Sequence, residues 1–241
     1  MDPERIRYIV EEANHLEPDL IVLLGDYTSG HLFVTGKVPA CEWAEALAGL
    51  KAPLGVFAVL GNHDWWEDEA AQLRGNGPTR SRLALEKVGV PVLENAALRL
   101  QKQGEAFWLA GLGDQLAFLS GGGADDLRGA LRTVTDAAPI ILLAHEPDVF
   151  PTVPDRVSLT LSGHTHGGQV HFFGYPPVVP SEGARRFVYG HVAERKDPES
   201  ALRHLIVSGG LGCSKAPVRF GMPPEIVVAD VVGKFKPKSG S

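Results

Sequence analysis

The sequence predicts an α/β fold, on three observations over its 241 residues. Short continuous apolar runs at 20–24, 56–60 and 140–144, and a largely apolar run at 157–161, have the length and branching of buried strands. Helix-period segments separate most of these runs. Each run also stops at a cluster of Gly, Asp, Asn or His, as expected where the carboxyl ends of strands open on a shared crevice.

Asp2 and Pro3 read as an N-cap and a first-turn proline, and Ile6, Ile9, Val10, Ala13 and Leu16 then recur at helical spacing, so the chain opens on an amphipathic helix. The strand at 20–24 ends in Gly25-Asp26. A helix-like stretch at 41–50 leads to the strand at 56–60, which ends in Gly61-Asn62-His63-Asp64. A helix near 81–88 and short strands near 90–93 and 107–111 follow, then a helix at 125–134. The strand at 140–144 ends in His145, and that at 157–161 ends at Gly163-His164-Thr165-His166. Later strands at 169–173, 187–189, 202–207 and 226–231 have no long helices between them and predict an antiparallel second sheet. Residues 1–233 read as a single domain and 234–241 as a frayed polar tail without chemistry.

Composition narrows the function. A formal net charge of −6 argues against an extended nucleic-acid footprint, so no nucleic-acid partner is expected, and an anionic substrate would need local positive charge such as a metal. Cys41 and Cys213 stand far apart, in neither a disulfide framework nor a zinc-cysteine spacing. No stretch approaches the roughly 20 apolar residues that span a bilayer. A cytoplasmic location is the default expectation, with an upstream signal or anchor left open.

The donors at the strand ends carry the chemistry. Asp26, Asn62, His63, His145, His164 and His166 offer oxygen and imidazole ligands that suit divalent Mn, Zn, Fe or Ni, and a carboxylate such as Asp26 can bridge two ions. The neutral oxygen of Asn62 ligates without adding charge, leaving a stronger Lewis acid. Trp65-Trp66 are candidates for an apolar wall beside a leaving group or for packing beneath the loop, and Arg185-Arg186 and Arg219 for gripping phosphate or for solvated faces. Asp114, Glu146 and Asp148 read more readily as turn, capping or solvated residues.

Gly25-Asp26, Gly61-Asn62-His63-Asp64, Ala144-His145-Glu146-Pro147 and Gly163-His164-Thr165-His166 resemble, in order, the signature of calcineurin-like metallophosphoesterases. Pro18-Asp19-Leu20, Gly168-Gln169, Ser208-Gly209-Gly210-Leu211-Gly212 and the words from Arg219 to Glu225 are similar to the bacterial branch that includes UDP-diacylglucosamine pyrophosphatase-like enzymes. The resemblance implies a four-layer α/β/β/α sandwich. It implies Asp26 as bridging ligand, Asn62, His145 and His164 on the same ion, and His166 on another. It gives His63 the role of general acid with Asp64 orienting its ring, and a metal-activated water as nucleophile.

The family's Asp-x-His pair, on a strand before the first helix, has no counterpart in this sequence, so the expected sandwich lacks its first strand. One well-bound ion is therefore expected, with a second site weak or empty, and His31 is the candidate stand-in ligand. The predicted activity is metal-dependent hydrolysis of phosphoesters, phosphodiesters first. The alternatives are carboxylic-ester hydrolysis on the same metal and a catalytically silent metal-binding module. The expected partner is a small-molecule or lipid-like phosphoester, with peripheral membrane contact and a homodimer or larger assembly as further expectations.

Overall fold

Helix α1 (Pro3–His15) begins where the Asp2 carboxylate accepts a hydrogen bond from Arg5 N at 2.8 Å, and it buries Ile6, Val10 and Ala13 along one stripe. The protein, a computed structural model, is described over residues 1–28, 30, 36–171, 176, 179, 186–214 and 216–232. Strands β1 (Ile21–Leu23) and β2 (Val56–Ala58) pair in parallel as a two-stranded sheet, with α2 (Ala40–Leu47) in the crossover between them. Three helices follow: α3 (Asn62–Trp66), α4 (Glu69–Arg74) and α5 (Arg80–Lys87).

A six-stranded sheet holds β3 (Ala96–Lys102), β4 (Glu105–Gly111), β5 (Ile140–Leu143), β6 (Val157–Ser162), β7 (Gly190–Glu194) and β8 (Arg203–Val207) in the order β3-β4-β5-β6-β8-β7. Helix α6 (Leu127–Leu131) lies in the connection from β4 to β5. The central run β4-β5-β6-β8 is parallel, and the outer strands β3 and β7 run antiparallel to their neighbours.

Side-chain alternation explains how the sheets are covered. On β2 and the residues after it, Ala58 and Leu60 pack with Ile6, Trp43 and Leu85 of α1, α2 and α5, whereas Phe57 and Val59 pack with Leu109, Ile141 and Leu143 of the larger sheet. The other face of that sheet places Trp108, Ile140 and Leu142 against Ala130 of α6. Strand β5 is buried at all four positions because it has apolar cover on both faces. Each fully buried Ile or Leu there is worth about 1.5–3 kcal/mol.

Several expectations need correction. The late strands do not build a separate antiparallel sheet: β8 runs parallel to β6, because the chain between Ser162 and Arg203 is long enough for a crossover, and β7 pairs with β8 at the edge. The strand expected at 187–189 begins just later, as β7. Residues 90–93 contribute only an isolated bridge of Val92 to Ala58, and 169–171 only one of Val170 to Phe220. Residues 226–231 form no strand and expose Val228 and Val231. The helix expected at 125–134 is confined to α6. Strand β3 adds to the expected set.

Both cysteines are free. Among the described residues, no helix is long and apolar enough to cross a membrane. His31, Phe172, Phe173, Arg185 and the polar tail at 234–241 lie outside the described residues.

Candidate metal centre

Four strand ends converge. Asp26 follows β1 by three residues, Asn62 and His63 open α3 beyond β2, and His145 and His164 follow the neighbouring parallel strands β5 and β6 by two residues each. A hydrogen bond from Gly163 N to His145 O, 2.9 Å, continues the β5-β6 register into the loops and keeps the two histidines side by side, their rings edge to face at 5.1 Å.

Ligand atoms of Asp26, His145 and His164 lie within 4.8 Å of one another. His145 Nε2 is 3.3 Å from Asp26 Oδ2, and His164 Nδ1 is 3.0 Å from Asn62 Oδ1. Two donors on one ion at roughly 2.0–2.2 Å stand roughly 3.0–3.4 Å apart, so both spacings suit ligands of a common divalent ion.

Two further observations favour that fit. His145 places Nδ1 2.6 Å from the carbonyl of Leu24, so Nδ1 donates there and loss of the second ring proton leaves the lone pair on Nε2, which is buried without a hydrogen bond. Gly61 is required beside it: a Cβ there would overlap Asp26 Oδ1 and lie 2.5 Å from His145 Cε1.

Electrostatics point the same way. Burial works against a charge on His145, but Asp26, Glu146 and Asp114 overcome it and raise its pKa well above 6.5. Burial likewise raises Asp26, and the opposing charges of His145, His63 and His164 carry it below its ordinary 3.8. The two form an ion pair in the absence of a metal, so ligation releases the proton from His145. His164 is lowered to about 4 by burial and then by His145, which leaves it a neutral imidazole at physiological pH. His166 is lowered to about 4 by burial, with Arg219 contributing. It stays outside the Asp26-His145-His164 group, although Asp26 lies close enough to influence its charge.

Asp64 differs from expectation. Its buried carboxylate accepts hydrogen bonds from Asp26 N at 2.9 Å, Tyr27 N at 3.1 Å and Gly61 N at 3.0 Å, so its oxygens tie the two ligand loops together rather than orient His63. The His63 amide in turn donates to Asp26 Oδ1 at 2.9 Å. Trp65 is fully buried against Phe118 and belongs to the core, whereas Trp66 meets the His63 ring at 5.3 Å. Arg219 spends its guanidinium on the carbonyls of Gly212 and Gly209, at 2.7 and 2.6 Å, and Arg186 pairs with Glu194.

Sequence reasoning missed a buried acidic pair. Asp114 and Glu146 are each 1% exposed, and their ligand atoms group with His145 within 4.8 Å. Asp114 does make the expected turn contact, accepting from Leu116 N at 2.9 Å. Its carboxyl is pushed up to about 10 by burial and by Glu146, so it keeps its proton at neutral pH. An unfolded aspartate titrates near 3.8, so the folded state binds the extra proton, and the stability gained below that pH drains away as pH rises toward 10. In metal-stripped protein, this contribution is expected to decline as pH rises. Urea denaturation at pH 6 and pH 9 is expected to show a smaller loss for Asp114→Asn than for the parent chain.

Carboxylate, amide and imidazole donors gathered at converging strand ends of an α/β fold make a candidate divalent-metal site. The chain belongs to the calcineurin-like phosphoesterase family, whose sequence pattern matches residues 3–193, and membership implies a phosphoester hydrolase. It is 35% identical over 231 residues to a Caenorhabditis elegans protein named as a putative metallophosphoesterase, covering 92% of this chain but 44% of that one. Uncharacterized metallophosphoesterases of Aquifex aeolicus and Bacillus subtilis are each 30% identical, covering 97% and 93% of this chain and 80% and 72% of their own lengths. No solved structure matches the chain significantly.

Proposed function

We propose that the chain is a metal-dependent phosphodiesterase whose principal ion is held by Asp26, Asn62, His145 and His164, with Asp26 and His166 left to a weaker second position. The observation that carries this reading is the buried Nε2 of His145, which makes no hydrogen bond and lies 3.3 Å from the Asp26 carboxylate. The two-sheet packing with helices outside supports the four-layer arrangement of the family.

A divalent ion at this place supplies Lewis acidity toward a phosphoryl oxygen and toward the attacking water. Asp26 serves two purposes, since one carboxylate oxygen faces His145 and the other fixes the backbone of His63. His63 holds the proton that the leaving oxygen takes as its bond to phosphorus breaks. Trp66, against the His63 ring, supports an apolar or lipid-like leaving group. The substrate is a small phosphoester, and self-association and membrane contact belong to the same proposal.

The test compares protein stripped of metal with protein reloaded with manganese or zinc, on an aryl phosphodiester, a phosphomonoester and a carboxylic ester. Metal-dependent turnover that is greatest on the diester is expected. Carboxylic-ester turnover that survives both metal removal and His63→Ala overturns the mechanism. A loaded protein that turns over none of the three is a silent metal-binding module.

A further inference from the structure

With both Asp64 oxygens taken by backbone amides, His63 needs another partner. Its Nδ1 is the ring nitrogen shut away from solvent without a hydrogen bond. The nearest carboxylate is Glu67, one turn further along at the C-terminal end of α3, with Oε1 4.0 Å from Nδ1.

The surroundings are built for this pair. The Lys37 ammonium grips the other Glu67 oxygen, and Arg80 holds the Glu67 carbonyl at 2.6 Å. Thr28 Oγ1 donates to the His63 carbonyl at 2.7 Å, and the Trp66 ring stands edge to face against the imidazole at an interplanar angle of 70°. Gly30 lies against both side chains: a Cβ there would overlap His63 Nδ1 and come within 2.8 Å of Glu67 Oε1. The side chains of His63 and Glu67 are only 21% and 24% exposed, so a shift of about 1 Å makes the contact a hydrogen bond with little competition from water.

We infer that Glu67 is the positioning residue of His63, accepting a hydrogen bond from Nδ1 and turning the ring so that Nε2 meets the leaving oxygen. This rests on the phosphodiesterase reading above. In the step itself the oxygen of the attacking water bonds to phosphorus as one of its O–H bonds gives up a proton to solvent, the phosphorus–oxygen bond to the leaving group breaks, and that bond's electron pair takes the Nε2 proton of the doubly protonated ring, which regains a proton from solvent after turnover. The Nδ1 hydrogen stays with the ring throughout, held by Glu67. An imidazole free to rotate would turn its Nε2–H away from the leaving oxygen, and without the facing carboxylate it would hold two ring protons less readily.

The experiment uses the full chain, reloaded with manganese, on two diesters: one with a 4-nitrophenolate leaving group, which departs without a proton, and one with an alkyl alkoxide, which requires it. Glu67→Gln is expected to lower kcat on the alkyl diester by about ten- to hundredfold, within the range of general acid catalysis. Its kcat on the nitrophenyl diester should change less than about twofold, with KM and metal content unchanged. Glu67→Asp should recover part of the alkyl activity. In a His63→Asn background, Glu67→Gln should have no further effect.

Equal losses on both diesters, or a further loss in the His63→Asn background, overturn the inference, as does alkyl turnover that stays at the parent level. A parent chain without metal-dependent diester turnover instead overturns the phosphodiesterase reading, so the two failures are distinguishable.

Discussion

Asp26→Asn is expected to cost the protein its tightly held ion and to lower diester turnover on the order of 10²–10³-fold, since the Lewis-acid contribution amounts to several kcal/mol. The substitution is mild toward the fold. Asparagine retains an oxygen to accept from His63 N, and it tolerates the left-handed backbone at this position, where φ is 61°. What it loses is the anionic oxygen 3.3 Å from His145 Nε2. Metal content by elemental analysis, measured beside turnover on the aryl diester, checks the expectation. An Asp26→Asn variant that keeps one equivalent of metal and works at the parent rate would remove Asp26 from the centre.

Asp64→Ala is expected to destabilise the protein by roughly 3–5 kcal/mol, because three backbone amides lose a charged acceptor at a buried position. Burial and the nearby charge of Asp26 push the Asp64 pKa up to about 6, so the carboxylate is ionised at neutral pH and does serve as that acceptor. Asp64→Asn keeps one oxygen and should lose less. Because Asp26 and Gly61 hang from the same carboxylate, metal affinity should fall with stability in both variants although no ligand is touched. Urea unfolding combined with metal titration tests this, and an Asp64→Ala variant of parental stability and metal affinity would contradict it.

The strands that aim the ligands were legible because each joins a buried apolar run to a polar stop, as Ile140 to Leu143 does before His145. Strand β3 was not, because it lies at the sheet edge: Arg99, Gln101 and Lys102 break its apolar pattern, and only pairing with β4 defines it. Residues 226–231 show the converse, an apolar run with no neighbouring strand to pair with among the described residues. Propensity without a partner makes no strand.

Within the site, residue identity pointed to the ligands but not to the division of work among the acids. Asp64 sits beside His63 in sequence, yet its position in α3 turns its carboxylate toward the loops of β1 and β2. Asp114 and Glu146 look like ordinary loop acids until the ends of β4 and β5 bury them together. Which amides converge on a carboxylate, and how much water reaches it, depends on packing between segments distant in sequence.

The left-handed backbone at Asp26, His164 and His166 has an evolutionary consequence. Residues other than glycine in that region each cost of the order of 1–3 kcal/mol, and glycine removes most of the penalty. Selection for thermal tolerance alone would therefore replace these positions with glycine and erase the donors. Their presence marks the places where this chain trades stability for chemistry, and a relative that has drifted to glycine there has given up that trade.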